Sequence, residues 1–188
     1  STLSPSSAAS DVYKRQILPF LELAGGILAL ASLVLPWWHL EASGAWPPAR
    51  PFSTLDVSYG VSLVEMFKHP DFIYPFVVEY VPYDPLVKVF VAVTLVLLAS
   101  GGVLSIIGAL ARSKLLATLG GAATAAAPLV FIATFSIVAN ENGPLLLGGS
   151  FDSGLSVAWS ASYGLLIALL AGALCVVGAV ATAAGPSD

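Results

Sequence analysis

Four long apolar stretches constrain the fold of this chain more than any other feature of its sequence. Each reaches the roughly 20 residues that a helix needs to cross about 30 Å of hydrocarbon. Backbone amides find no partner in lipid, so such stretches should be helical. Only 10% of the residues are charged, against about 25% in soluble domains. The sequence therefore predicts an all-α membrane protein, a four-helix transmembrane bundle with spans at Ile17–Trp38, Leu86–Ala111, Leu115–Ala139 and Trp159–Ala184.

The opening residues stand apart from the rest of the chain. The run SSAASDVYKRQ, Ser6–Gln16, resembles the in-frame translation of a transposon-based sequencing adapter. The alternative is a natural tail rich in serine and alanine that ends in two basic residues. We treat residues 1–16 as adapter-derived and expect the native chain to begin at or before Ile17. This exclusion removes Lys14 and Arg15 from the charges that orient the protein.

The positive charges that remain give the orientation by their density at the helix ends rather than by their number on each side. Arg112 and Lys114 lie in the very short link between the second and third spans, and short basic links stay on the cytoplasmic side. The long segment 39–85 is net acidic and falls on the other side, together with the loop 140–158. We therefore expect a multi-pass protein of the cytoplasmic (inner) membrane, with both termini inside and the long loop external.

The two external segments also carry strand patterns. Apolar and polar residues alternate along Thr54–Leu63, which is typical of a half-buried strand. A shorter alternation at Leu155, Val157 and Trp159 could pair with it. Ser62–His69 permits a short amphipathic helix as well. The sequence thus predicts a small external β-containing cap built from the first and third loops.

Small residues recur inside all four spans. Pairs such as Gly25 and Ala29 are four positions apart, which lets helix backbones approach closely where lipid removes the hydrophobic incentive to associate. Phosphate binding is a weaker explanation, because these glycines lie within the spans. We expect close helix packing at Gly25, Gly26, Gly101, Gly102, Gly120, Gly121, Gly172 and Gly178.

Two spans resemble each other. Residues 102–111 read GVLSIIGALA and residues 172–181 read GALCVVGAVA. One explanation is a duplication of a helix–external loop–helix unit, as in transporters with parallel repeats. The other is that apolar helices rich in small residues look alike by composition.

Aromatic residues flank the spans. Trp37 and Trp38 follow Pro36 where the first span should leave the membrane, and Trp159 stands where the fourth begins. Tryptophan favours the interface because its ring is apolar while its N–H stays hydrated. We expect these three residues to form an interface belt.

Few residues of the sequence are candidates for a catalytic, proton-transfer or metal-binding role. Glu22 is the one acidic residue within a native span and is either functional or interfacial and structural. His39 with Glu41, and His69 with Asp71, could supply two ligands each to zinc or another borderline metal, but the spacing is not diagnostic and a solvated histidine near a lipid headgroup is the simpler explanation of each pair. Cys175 has no second cysteine to pair with. We expect no catalytic residue, metal or cofactor, and no nucleic-acid partner.

The run ILALASLVLPWWHL, with Tyr163-Gly164 near the start of the last span, resembles small prokaryotic four-span proteins of unknown function. In that group a glycine-rich first helix ends in LPW. The topology is also similar to that of claudin-type tetraspans, but the Gly-Leu-Trp motif and cysteine pair of the claudin loop are absent. The resemblance implies topology and no activity.

Two functions fit these observations. The first is a non-enzymatic structural, accessory or complex-assembly subunit that presents its external segment to a partner. The alternative is a small transporter or channel that uses Glu22 and requires oligomerisation, because four closely packed helices leave no pore. In either case the partners are the lipid bilayer and a second copy or another membrane protein.

Overall fold

The computed structural model describes residues 5–45, 54–68, 85–142, 148–152 and 155–183. These residues divide into two compact units. The bundle unit comprises the described parts of Ser1–Ala31, Val96–Ala127 and Ile167–Asp188, and the sheet unit those of Ser32–Leu95 and Pro128–Leu166. In chain order the elements are α1 (Pro5–Ser32), β1 (Pro36–Ala45), β2 (Thr54–Ser62), α2 (Leu63–Lys68), α3 (Pro85–Ala111), α4 (Lys114–Asn142), β3 (Gly148–Asp152), β4 (Leu155–Ala161) and α5 (Tyr163–Ala183).

The long helices are built for lipid. Within the described residues, three segments are long and apolar enough to cross a membrane: Lys88–Ala111, Lys114–Thr134 and Tyr163–Ala181. The apolar part of α1, Ile17–Ser32, is shorter. Large apolar side chains such as Val96 and Leu110 are exposed, whereas many alanine, glycine, serine and threonine residues of the same helices, such as Ala127 and Thr124, are buried. Because soluble proteins show the reverse distribution, the chain is a membrane-embedded, multi-pass protein.

Glycines hold the four helices of the bundle unit together. A Cβ on Gly25 would lie 2.6 Å from Cys175 Sγ in α5, and one on Gly26 would lie 2.7 Å from the Gly102 carbonyl in α3. Helices α3 and α4 meet at Gly101, Gly108 and Gly120, and α4 and α5 meet at Gly121 and Gly172. Gly178 closes the ring against α1. The helices are therefore neighbours in the cyclic order α1, α3, α4, α5.

The two similar spans lie in α3 and α5, and their matching glycines pack against different neighbouring helices of this ring. Gly102 of α3 packs against α1, and the matching Gly172 of α5 packs against α4. Six residues later the contacts reverse, because Gly108 packs against α4 and Gly178 against α1. An approximate two-fold relation that exchanges α1 with α4 and α3 with α5 produces this pattern.

The sheet unit contains one four-stranded antiparallel sheet with the strand order β2-β1-β4-β3. Strand β2 coincides with the predicted strand at its start and ends one residue earlier, at Ser62. The predicted pairing between Thr54–Leu63 and Leu155–Trp159 is wrong. Strand β1 lies between them and pairs with both, for example Leu40 with Tyr59 and with Trp159.

The first helix ends earlier than its sequence predicts. It stops at Ser32, and Pro36 begins β1, so the predicted span Ile17–Trp38 is too long at its end. The fourth span is too long at its start, because residues up to Ala161 belong to β4 and α5 begins at Tyr163. In both places an apolar strand adjoins an apolar helix, so hydropathy alone does not separate them. Helices α3 and α4 extend the predicted spans by one to three residues at their ends.

The predicted tryptophan belt is also corrected. Trp37 is 0% and Trp38 7% exposed, so both are core residues of the sheet unit rather than lipid-interface residues. The register of β1 shifts between Pro36 and Trp38, and such a bulge places two residues opposite one. The backbone of Trp159 lies in β4, while its side chain lies outside the described part of the structure.

Candidate functional site

The first candidate site is the polar face of the sheet. His39, Glu41 and Ser43 alternate along β1, which lies between β2 and β4. Cross-strand partners share a face, and the register places hydroxyl, carboxylate and small residues opposite these three. These partners are Gly60, Ser58 and Asp56 in β2, and Ser160, Ala158 and Ser156 in β4.

One side-chain cluster occupies this face. Nε2 of His39 lies 3.3 Å from Oε1 of Glu41 and 3.3 Å from Oγ of Ser58. A Ser-His-carboxylate triad uses separate ring nitrogens for the hydroxyl and the carboxylate. Here both partners meet the same nitrogen, so the three residues do not form such a relay. The side chains of His39 and Glu41 are 36% and 64% exposed, respectively, which makes the cluster a surface feature.

The structure describes only two of the four predicted metal ligands. His39 and Glu41 share a face, as their spacing predicts, but His69 and Asp71 lie outside the described residues. Among the residues that are described, no group of three or more histidine, cysteine, aspartate or glutamate side chains is close enough to hold a metal ion.

The second candidate site is a buried polar cluster in the bundle unit. Glu22 is 1% exposed and Cys175 is 0% exposed, and the Cys175 thiol lies 3.9 Å from the Glu22 carbonyl oxygen. The hydroxyl groups of Ser105 and Thr124 face the same thiol. Each of the four helices of the bundle unit thus contributes one buried polar residue to this cluster.

The Glu22 side chain does not reach the protein surface. Its Cγ lies against Gly178, where a Cβ would collide with it, and the space exists only because residue 178 is glycine. Gly178 is three residues before Ala181, the last residue of the apolar part of α5. At about 1.5 Å per residue, this level is roughly one helical turn from the end of the span. Glu22 is therefore buried in protein near one end of the bundle.

Sequence reasoning found Glu22 but missed its surroundings. Ser105, Thr124 and Cys175 are each 0% exposed, and no local pattern distinguishes them from other small residues of apolar helices. The available signal was the repeat, which aligns Ser105 with Cys175. Alternation along β2 places Ser58 on the polar side of the strand but does not reveal its histidine partner.

Comparison with known proteins does not assign either site. The chain matches no family model and no curated protein sequence.

Proposed function

We propose that this protein is a four-span accessory or complex-assembly subunit of the cytoplasmic membrane, anchored by its bundle and presenting the sheet outside. Support for four spans comes from α1, whose apolar part contacts both α3 and α5 through glycine. Its sixteen residues cover about 24 Å, a mismatch that bilayers accommodate at modest cost.

The charges at the helix ends support an external sheet. Arg112 and Lys114 are exposed in the tight connection between α3 and α4. The Ser113 N–H donates to the Gly108 carbonyl at 3.0 Å and fixes this turn. Positive residues so close to two helix ends favour the cytoplasmic side. The strands precede and follow the other ends of α3 and α4 along the chain, because β2 and α2 come before α3 and β3 comes after α4.

The polar face of the sheet is the observation on which the partner proposal rests. Glu41 is exposed on β1. The backbone register pairs Asp56 with Ser43, and it pairs Asp152 with Ser156, which is the other partner of Ser43. His39 is the one basic residue among the positions aligned in this register. An acidic face favours a basic partner surface through charge complementarity. A second copy would offer the same acidic face and repel it, so we propose a different protein chain.

Photo-crosslinking tests this proposal. A benzoylphenylalanine at exposed Ser58 is expected to give one discrete adduct with a membrane protein in the cells where the chain naturally resides. Charge reversal by Glu41→Lys should lower the adduct yield about tenfold, because an interfacial charge pair contributes about 1.4 kcal/mol or more. A photo-crosslinker at Leu166, which is 61% exposed on α5, is the lipid-facing control. An adduct whose yield is unchanged in Glu41→Lys, or no adduct at Ser58, contradicts the proposal.

Transport is the second candidate, and the burial of Glu22 favours it. Intramembrane carboxylates that face a bundle interior often take part in proton or cation movement. If the protein transports protons or cations, their flux into proteoliposomes should be measurable with the native chain and absent with the Glu22→Gln variant. Ser100→Ala is the matched control, because Ser100 is exposed and its hydroxyl donates to the Val96 carbonyl of the same helix at 2.6 Å. Equal flux in Glu22→Gln and the native chain rules out this role for Glu22.

A further inference from the structure

The short helix α2 is held firmly in the sheet unit. Its start is capped reciprocally: the Glu65 N–H donates to Ser62 Oγ at 3.2 Å, and the Ser62 N–H donates to Glu65 Oε2 at 2.9 Å. Such a capping box fixes the direction in which a helix leaves the preceding strand. Leu63 and Met66 are 0% and 2% exposed and attach one side of α2 to the core.

The register places α2 at the end of the sheet where the long helices attach. Ser62, directly before α2, pairs with Pro36, which follows the end of α1 at Ser32. The Ser162 N–H donates to the Trp37 carbonyl at 2.9 Å, and the next residue, Tyr163, begins α5. The start of α2, the end of α1 and the start of α5 are therefore at one level of the sheet unit.

Apolar side chains are exposed at this level. Phe67 is 42% exposed on α2, Val34 is 70% exposed after α1, and Tyr163 is 54% exposed at the start of α5. Lys68 is exposed beside Phe67. An exposed phenylalanine next to a lysine suits the boundary between lipid headgroups and acyl chains, where the ring enters the apolar layer and the ammonium meets phosphate.

We propose that α2 lies in the outer headgroup layer of the membrane, with Phe67 inserted toward the acyl chains and Lys68 at the lipid phosphates. This inference rests on the proposed four spans, because it is the ends of α1 and α5 that bring α2 to the bilayer surface. The partner is thus the lipid itself. The interface belt consists of Val34, Phe67 and Tyr163, in place of the tryptophans.

Spin labelling tests the depth of α2. In a Cys175→Ser background, single cysteines replace Phe67, Ser58 or Leu170, carry a nitroxide and are reconstituted into bilayers that contain anionic lipid. Power saturation compares collisions with oxygen, which concentrates in lipid, and with a water-soluble nickel chelate. We expect the Phe67 label to favour oxygen, the Ser58 label on the polar face to favour nickel, and the Leu170 label, at a side chain 53% exposed on α5, to favour oxygen.

The other outcomes are distinguishable. If the Phe67 label favours nickel as strongly as the Ser58 label, α2 lies in water and the inference is overturned while the spans stand. If the Phe67 label is shielded from both reagents, a protein covers α2 and the inference is equally overturned. If the Leu170 label favours nickel, the proposed membrane topology itself is wrong. A label at exposed Lys68→Cys repeats the measurement should Phe67→Cys fold poorly.

Discussion

Leucine in place of Gly172 is expected to lower the free energy of unfolding by about 3 kcal/mol, the upper part of the range for overpacking a core. A Cβ at this position would lie 2.8 Å from the Cα and 3.3 Å from the backbone nitrogen of Ala125 in α4. Backbone atoms cannot move aside as a flexible side chain can, so α4 and α5 must separate. The better helix propensity of leucine returns about 1 kcal/mol at most. Unfolding by SDS in mixed micelles, followed by circular dichroism, measures the difference.

The adjacent residue provides the matched control. Ala173 is on the same helix and is exposed, so Ala173→Leu adds a similar side chain at a site that faces lipid. Surface substitutions usually change stability by less than about 0.5 kcal/mol. Equal losses in Gly172→Leu and Ala173→Leu would falsify the close packing of α4 and α5, whereas a loss confined to Gly172 supports it.

The helices were predictable because two independent signals coincide. Length and hydropathy give α3 to within one residue and α4 to within three, since each ends in a break that the sequence marks, such as Arg112 and Ser113 after α3. The start of α5 is predicted four residues too early, because the preceding strand β4 is apolar as well. The spacing of small residues then indicates which faces meet. The partners of those faces follow only from the fold, because Gly25 contacts a helix about 150 positions later in the sequence.

Strand β1 was not predictable from its own residues. Alanine, serine and glycine make up much of its second half, and these residues have low strand propensity or little to pack. Its beginning, Pro36-Trp37-Trp38, continues the apolar run of α1 and reads as the end of a membrane span. What makes β1 a strand is its place between β2 and β4, where both edges find hydrogen-bond partners. Alternation assigns a residue to a face of a sheet but not to a partner strand, so the strand order also escaped prediction.

The two candidate sites were also only partly predictable, because some of their residues are neighbours in sequence and others meet only in the folded protein. Glu22 stands out in the sequence because a carboxylate is rare in an apolar span. Its cluster with Cys175, Ser105 and Thr124 depends on the ring of four helices, which brings together residues as far apart as 153 positions. The pairing of His39 with Glu41 is local and follows from the two-residue period of a strand. The addition of Ser58 requires the register between β1 and β2.

Alanine in place of Trp37 is expected to destabilise the sheet unit by about 3–5 kcal/mol, the usual range for removing a large buried aromatic side chain. The ring is 0% exposed and meets Phe131 of α4 edge to face, with centroids 5.0 Å apart and planes at 73°. Its N–H donates to the Ser32 carbonyl at 2.7 Å and so ties the end of α1 to the start of β1. The loss should appear as a lower unfolding midpoint in detergent and as faster amide hydrogen exchange in β1.

Phenylalanine substitutions at the two adjacent tryptophans separate the hydrogen bond from the packing. Trp37→Phe keeps most of the ring but leaves the Ser32 carbonyl without the indole donor, which should cost about 1–3 kcal/mol. Trp38 is the matched control, because it is 7% exposed and its indole N–H has no acceptor among the described residues. Trp38→Phe therefore breaks no such bond and should cost less. If the two phenylalanine variants lose stability equally, ring volume alone stabilises this junction, and the bond from Trp37 to the last residue of α1 contributes nothing measurable.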